Sequence, residues 1–363
     1  MPLAEELINE ETARALTEAI HRAAPGKGMP ALRAASAELG PLPLRARADL
    51  LRDALLADVP GDFAALATVV RATELDGWAI WPVSTAVAQR AVTDGTSVAF
   101  DDAMALLAEL TGRLTAEFAI RTLLRHNLDR ALEIIVPAWT TSPDPAVRRL
   151  ASEGTRPYLP WAVRVPSIIA RPEVTVPILD GLYRDPDPVV RRSVANHLND
   201  LSRENPHLVV DTAGRWLAAP DANTPALVRH ALRTLVKRGH PKALELLGFH
   251  PATVSVDGPV VHRATVPFGG SISFQVTVAN DGDQPARLAI DYAVHHRKAH
   301  GGQTAKVFKL TTRTLAPGEH LTLTKEHSLR PISTRRYYPG PHAIDIRVNG
   351  IASTRAEFEL LPD

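Results

Sequence analysis

Asp144-Pro145-Ala146-Val147-Arg148-Arg149-Leu150-Ala151-Ser152-Glu153-Gly154-Thr155-Arg156-Pro157 has a near copy in Asp187-Pro188-Val189-Val190-Arg191-Arg192-Ser193-Val194-Ala195-Asn196-His197-Leu198-Asn199-Asp200. Arg148 and Arg191 mark an offset of 43 residues, the period of paired-helix repeats of the HEAT or armadillo kind. A looser third copy, Thr224-Pro225-Ala226-Leu227-Val228-Arg229-His230, follows 38 residues after the second (191 to 229). Stacked helix pairs build a curved groove. The copies differ at polar positions on one repeated face, and a function is to be sought there.

The composition is that of an ordinary globular chain: 363 residues, 45% apolar and 22% charged, a length that suits two or three domains. The absence of cysteine excludes disulfides, thiolate metal sites and a cysteine nucleophile. No apolar run reaches the ~20 residues of a membrane span. The opening residues 1–16 are acidic where a signal peptide is basic and then apolar. A cytoplasmic protein with no membrane partner is expected.

The net charge of +1 hides an uneven layout. Residues 1–110 hold 9 Lys and Arg against 16 Asp and Glu, residues 111–240 hold 18 against 13, and residues 241–363 hold 14 against 11. Of the 18 cations in the repeat region 17 are arginine, whose planar fork suits phosphate oxygens better than a lysine ammonium. A genome that prefers arginine codons produces the same bias, so charge alone does not establish nucleic-acid binding.

Helical periodicity runs through residues 1–110, with helices expected at Glu11–Ala23, Leu44–Leu56 and Ser84–Ala91. Trp78 and Trp81 read as packing between helices. In the repeats, Asp144, Asp187 and Thr224 are expected as N-caps, with Pro145, Pro188 and Pro225 at the first helical position. Val147, Leu150, Val190 and Val194 then point to the core. Arg149/Glu153 and Arg192/Asn196/Asp200 recur at four-residue steps on one stripe. An earlier helix, Leu114–Leu124, puts Glu117 and Arg121 one turn apart. After Phe249-His250-Pro251 the period changes to two: 271–278, 287–294, 306–310, 320–324 and 342–348 alternate apolar with polar, with weaker strands near 252–263 and 351–360. The expectation is a multidomain chain. An all-α HEAT-like solenoid occupies residues 1–249, and an all-β immunoglobulin-like sandwich occupies residues 250–363.

On this layout Glu117, Glu153 and Asp200 lie on corresponding helices of successive repeats and can converge on one groove. Trp161 follows Glu153 on a loop stiffened by Pro157 and Pro160. Each residue also has a plain reading. Glu117 with Arg121, and Arg149 with Glu153, can be surface ion pairs one turn apart, worth ~0.3–0.5 kcal/mol. Trp161 can be core. Asp200 sits where a carboxylate opposes the helix dipole, a placement against local preference. Asn196-His197-Leu198-Asn199 can cap a neighbouring helix. His197 has no second histidine at ligand spacing, so no metal site and no cofactor are expected.

The segments Leu114–Arg121, Val147–Trp161 and Arg192–Asp200 together resemble the HEAT-repeat DNA alkylation-repair glycosylases of the AlkC type, in the AlkC/AlkD superfamily. The segment Tyr292–Gly301 with Lys306–Leu310 is similar to the immunoglobulin-like appendage of one AlkC branch. The resemblance implies hydrolytic excision of cationic N-alkylated bases, 3-methyladenine and 3-methylcytosine, from double-stranded DNA, without flipping the base into a pocket. It implies a catalytic group of Glu117, Glu153, Trp161 and Asp200, DNA contacts from Arg149, Arg156, Arg192 and Asn196, and a DNA-contacting loop of Lys298, Ala299, His300 and Gly301. His300 departs from the asparagine expected in that loop. A monomeric bacterial cytoplasmic enzyme, on the nucleoid when bound to DNA, goes with this reading. Two other readings stand beside it: a HEAT-repeat interaction scaffold, and a DNA-damage sensor that binds without releasing a base.

Overall fold

The structure, a computed structural model, describes residues 4–332 and 336–362. It divides into two compact units, Met1–Ala231 and Leu232–Asp363. The change from helix to strand falls between Leu246 and Val254, around the expected 249/250 position. The compact units divide earlier, because the short helices Arg233–Lys237 and Pro241–Leu246 group with the strands. There Gly239 and Gly350 meet backbone to backbone. A Cβ on Gly239 would stand 2.7 Å from the carbonyl oxygen of Gly350, so only glycine fits.

In the first unit the repeated motif explains its own helices. Asp144 accepts a hydrogen bond from the Ala146 amide at 2.8 Å, and Asp187 accepts from Val189 and Val190 at 2.6 and 3.3 Å. Pro145 and Pro188 open the helices Pro145–Gly154 and Pro188–Leu201 at a position that needs no N–H. The first arginine of each pair folds back onto the turn before its own helix. Arg148 Nη1 donates to the carbonyls of Ser142 and Pro143 at 2.8 and 3.1 Å, and Arg191 Nη1 donates to those of Asp185 and Pro186 at 2.6 and 2.8 Å. Arg148 also pairs with Asp185 at 2.6 Å, linking one repeat to the next. The second arginine of each pair is left out of this turn: Arg149 lines a groove and Arg192 is exposed.

The third copy departs from this scheme. Thr224 is the first residue of the helix Thr224–Ala231, not its cap. Asp221 accepts from the amides of Asn223 and Thr224 and from the Thr224 hydroxyl, so a carboxylate three residues upstream takes over the capping work.

Helix Pro188–Leu201 packs on both Pro145–Gly154 and Thr224–Ala231, so the second helices of the repeats lie side by side. Val147, Leu150, Val190 and Val194 are buried there, as their spacing requires. The first helices, Val176–Leu182 and Pro206–Ala218 among them, form the other layer. Tyr183 stacks on Trp216 with ring centroids 5.0 Å apart, and the Trp216 indole donates to Asp180 at 2.7 Å. Upstream, the expected helices occur as Glu10–Ala23, Leu44–Asp58 and Ile80–Asp94, the last extending well beyond 84–91 at both ends. The continuous helix expected over 114–124 does not form. Regular helix begins at Ile120, and the Thr115 hydroxyl accepts the Glu117 amide at 3.2 Å, holding Glu117 in a turn ahead of it.

The second unit is built from β1 (Val254–Val261), β2 (Thr265–Val266), β3 (Ser271–Asn280), β4 (Ala286–Arg297), β5 (Gln303–Leu315), β6 (His320–Ser328), β7 (Gly340–Val348), β8 (Ile351–Ala352) and β9 (Ala356–Leu360). One sheet has the order β1-β3-β6. The other runs β2-β9-β7-β4-β5, with β8 paired to β7. All pairings are antiparallel except β2 with β9. Phe274, Tyr292, Val294, Ile344 and Ile346 centre the core between the sheets, where dispersion and burial replace the missing disulfide.

Candidate active site

Glu117, Glu153 and Trp161 line one groove of the helical unit, together with Trp78, Arg149 and Arg156. Their positions come from three different local causes. Glu117 is held in the turn before Ile120, Glu153 sits in the last turn of Pro145–Gly154, and Trp161 sits on the loop that follows. Asp200, in the last turn of Pro188–Leu201, is not on the groove wall. It stands behind Arg156.

The ion pairs expected one helical turn apart do not form. Arg149 Nη1 reaches Glu117 Oε2 at 2.5 Å, across to the preceding repeat. Arg156 Nη1 donates to Glu153 Oε1 at 2.6 Å while its Nε donates to Asp200 Oδ2 at 2.9 Å. Ser193 Oγ donates to the second oxygen of Glu153 at 2.7 Å. Glu117, Glu153 and Asp200 are 8%, 7% and 5% exposed, so these are buried pairs whose partners cannot be removed singly without leaving a stranded charge. Burial pushes the Asp200 carboxyl above its ordinary value, against the opposing hydrogen bond from Arg156.

Arg121 is the residue that sequence reasoning misplaced. It is fully buried and makes no pair with Glu117. Its Nη1 donates to the carbonyls of Gly154 and Arg156 at 3.0 and 2.8 Å, and its Nε donates to the carbonyl of Val163. It therefore ties the end of the Glu153 helix to the loop carrying Trp161. Burial, with repulsion from Arg164 and Arg156, pushes its guanidinium down to about 10. The one sequence signal was a cation set among the core positions Ile120, Leu123 and Leu124.

Trp161 is 41% exposed and has a φ of 62°, a left-handed conformation that a bulky L-residue adopts only under constraint. Its carbonyl accepts from Arg45 Nη1 at 3.4 Å. Of the two upstream tryptophans, Trp81 is packing, stacked on Phe118 at 4.2 Å, whereas the half-exposed Trp78 belongs to the groove wall. Both nitrogens of His197 are engaged inside the protein, Nδ1 with the Ser152 carbonyl at 2.9 Å and Nε2 with the Thr175 hydroxyl at 3.1 Å. Among the described residues no group of three or more His, Cys, Asp or Glu is arranged to hold a metal ion.

Arg192 is exposed on the same helix as Asp200, and Asn196 Oδ1 meets His230 Nε2 at 3.0 Å. Lys298, Ala299, His300 and Gly301 form the exposed turn between β4 and β5, in the second unit. The Gly301 amide donates to the Lys298 carbonyl at 3.0 Å, and the Gly301 φ of 87° is a position for glycine.

Comparison with known proteins agrees along the chain. Residues 255–362 match the family model described as the C-terminal Ig-like domain of the uncharacterised protein YhaZ. Over 262 residues, 72% of this chain and 72% of the relative, the sequence is 33% identical to YhaZ of Bacillus subtilis (strain 168). The fold is similar to that of the Pseudomonas fluorescens alkylpurine DNA glycosylase AlkC, solved bound to DNA containing an abasic site analog. That match has a TM-score of 0.86 and 34% identity and covers 99% of this chain and 100% of that one. The repeats, the sandwich and the sequence identity coincide over nearly the whole length, and the chain therefore belongs to the AlkC-type family of helical-repeat proteins, in the branch with a C-terminal immunoglobulin-like domain.

Proposed function

We propose that this protein is a monofunctional DNA glycosylase that removes cationic N-alkylated bases from double-stranded DNA and leaves an abasic site. The observation that carries the reading is that Glu117, Glu153 and Trp161 share one groove, with Asp200 joined to Glu153 through Arg156. The substrates are 3-methyladenine and 3-methylcytosine, the working species is a cytoplasmic monomer that meets the nucleoid through its DNA, and the chemistry resides in residues 1–249.

The chemistry follows from the charges. A base alkylated at a ring nitrogen is already a cation and departs neutral without a general acid. Positive charge then develops on the deoxyribose, as in other glycosidic hydrolyses. Glu117 and Glu153 stabilise that charge from a partly dried wall, and the Trp161 ring face adds a cation–π contribution. We assign the attacking water to Asp200, which reaches it from behind Arg156 with Oδ1, the oxygen outside its bond to that arginine, and takes up its proton. Arg149 and Arg156 hold the carboxylates apart and in register. With Arg192, Asn196 and the Lys298–Gly301 turn they meet the backbone, a grip without sequence preference. In this reading the base is attacked without being flipped into a pocket, as the family resemblance implies. No lysine lines the groove, so hydrolysis rather than an imine with strand cleavage is the outcome.

The test is release of free base from N-methylated duplex, measured by chromatography, for the parent and for Asp200→Asn. The expected result is 3-methyladenine release that slows by about two orders of magnitude or more in the variant, the scale of losing a transition-state charge partner. Equal rates remove Asp200 from the mechanism, and no release by the parent ends the glycosylase reading.

A further inference from the structure

Between Glu153 and Trp161 the chain places Tyr158, and two arginines close on its ring. The guanidinium carbon of Arg164 lies 4.6 Å from the ring centre and that of Arg203 lies 4.3 Å from it. Arg164 comes from the far end of the Trp161 loop, and Arg203 comes three residues after Asp200. The Tyr158 hydroxyl donates to Glu204, which fixes the ring in plane. Both arginines are exposed while the ring is half-buried. Arg164 Nη1 donates to the Pro157 carbonyl at 3.3 Å, and Arg164 has no carboxylate partner among the described residues.

The arrangement is unlike the rest of the site. Arg149 and Arg156 are bound to Glu117, Glu153 and Asp200, so a phosphate shares their charge with these carboxylates. Tethering a loop to a helix end requires no like charges; two cations held on one ring repel each other and favour an anion beside them. A guanidinium stacked by its face also keeps its N–H edge pointing away from the ring, which is the edge that binds phosphate oxygens in a fork.

We propose that Arg164, Tyr158 and Arg203 form a clamp for two consecutive phosphates of one DNA strand, beside the loop that carries Trp161. The proposal rests on the glycosylase reading for its ligand, since a polyanion with regularly spaced phosphates is what the paired forks fit. Tyr158 is the ring on which both cations rest, and Arg203 places one phosphate three residues along the chain from Asp200.

The test uses the full chain and a duplex containing an abasic-site analogue, with affinity measured by anisotropy across a series of salt concentrations. Each phosphate contact contributes about 0.9 to the slope of log affinity against log salt. Arg164→Gln and Arg203→Gln are each expected to flatten the slope by about that amount, and the double variant by about twice it. Tyr158→Phe keeps the ring and the slope; Tyr158→Leu lets the arginines drift and flattens it. Arg14→Gln, exposed on the helix Glu10–Ala23, is the control and keeps the slope. If the parent shows a steep slope and both arginine variants retain it, the clamp is wrong while the glycosylase reading stands. If the parent binds without salt dependence and releases no methylated base, the glycosylase reading fails and the clamp with it.

Discussion

His197 shows how single positions in this site are committed before any substrate arrives. Its ring is fully buried and bonded at both nitrogens, and burial pushes it down to about 3 from its ordinary 6.5. The folded chain therefore holds it neutral where the unfolded chain protonates it. Between pH 6.5 and about 3 the unfolded state binds the extra proton, so stability is full above 6.5 and falls as pH drops through that window. Asp200, raised by burial, acts in the opposite direction just above its ordinary value. Denaturant titrations should show stability declining below pH 6.5 with a contribution from His197 of up to about 1.4 kcal/mol per pH unit. His197→Gln should lose that contribution; an unchanged pH slope in this variant would remove the histidine as its source. Gly154, next to Glu153, is committed in another way: a Cβ there would sit 2.7 Å from the Ile120 side chain, so the carboxylate helix approaches its neighbour through the absence of a side chain.

The Asp-Pro-x-Val-Arg-Arg element divides labour among its residues. Asp187 caps, Pro188 opens the helix, Arg191 closes the preceding turn, and Arg192 is left exposed. Removing the cap strands amides at the start of Pro188–Leu201, the helix that carries Asp200. Asp187→Ala should cost about 1 kcal/mol, within the ~0.5–2 kcal/mol seen when caps are truncated. Arg192→Ala should leave the melting temperature nearly unchanged, because Arg192 has no pair among the described residues. Equal losses for the two variants would mean that capping is not what holds this helix. Capping and proline placement were readable in residue order for the first two repeats because they act within three or four residues. They failed at Thr224, where Asp221 reaches in from the loop, and at Glu117, where the Thr115 hydroxyl delays the helix.

At the scale of the whole molecule, two compact units each bury their own core, one between helix layers and one between two sheets. Heating should therefore produce unfolding that a single two-state transition does not fit, read as a calorimetric enthalpy larger than the van't Hoff value. Equality of the two enthalpies would show one cooperative unit instead. The architecture was legible because it is written in periods: a repeat of 43 residues (148 to 191), a helical stripe of buried valines and leucines, then strict alternation after residue 250. Of the expected gathering, Glu117, Glu153 and Trp161 share the groove and Asp200 does not; the repeat pointed to the carboxylates, and Pro157 and Pro160 to the loop of Trp161. Partner choice was not legible. Arg149 turned from Glu153 to Glu117, Arg156 bridged Glu153 and Asp200, and Arg121 gave up its carboxylate for three carbonyls. Sequence by itself determined which residues share a face, since that depends on backbone geometry over a few residues. Tertiary structure alone decided which charges meet, since a buried ion must be satisfied by whatever the packed neighbours present, from 3 residues away along the chain for Arg156 and Glu153 to 44 for Arg156 and Asp200.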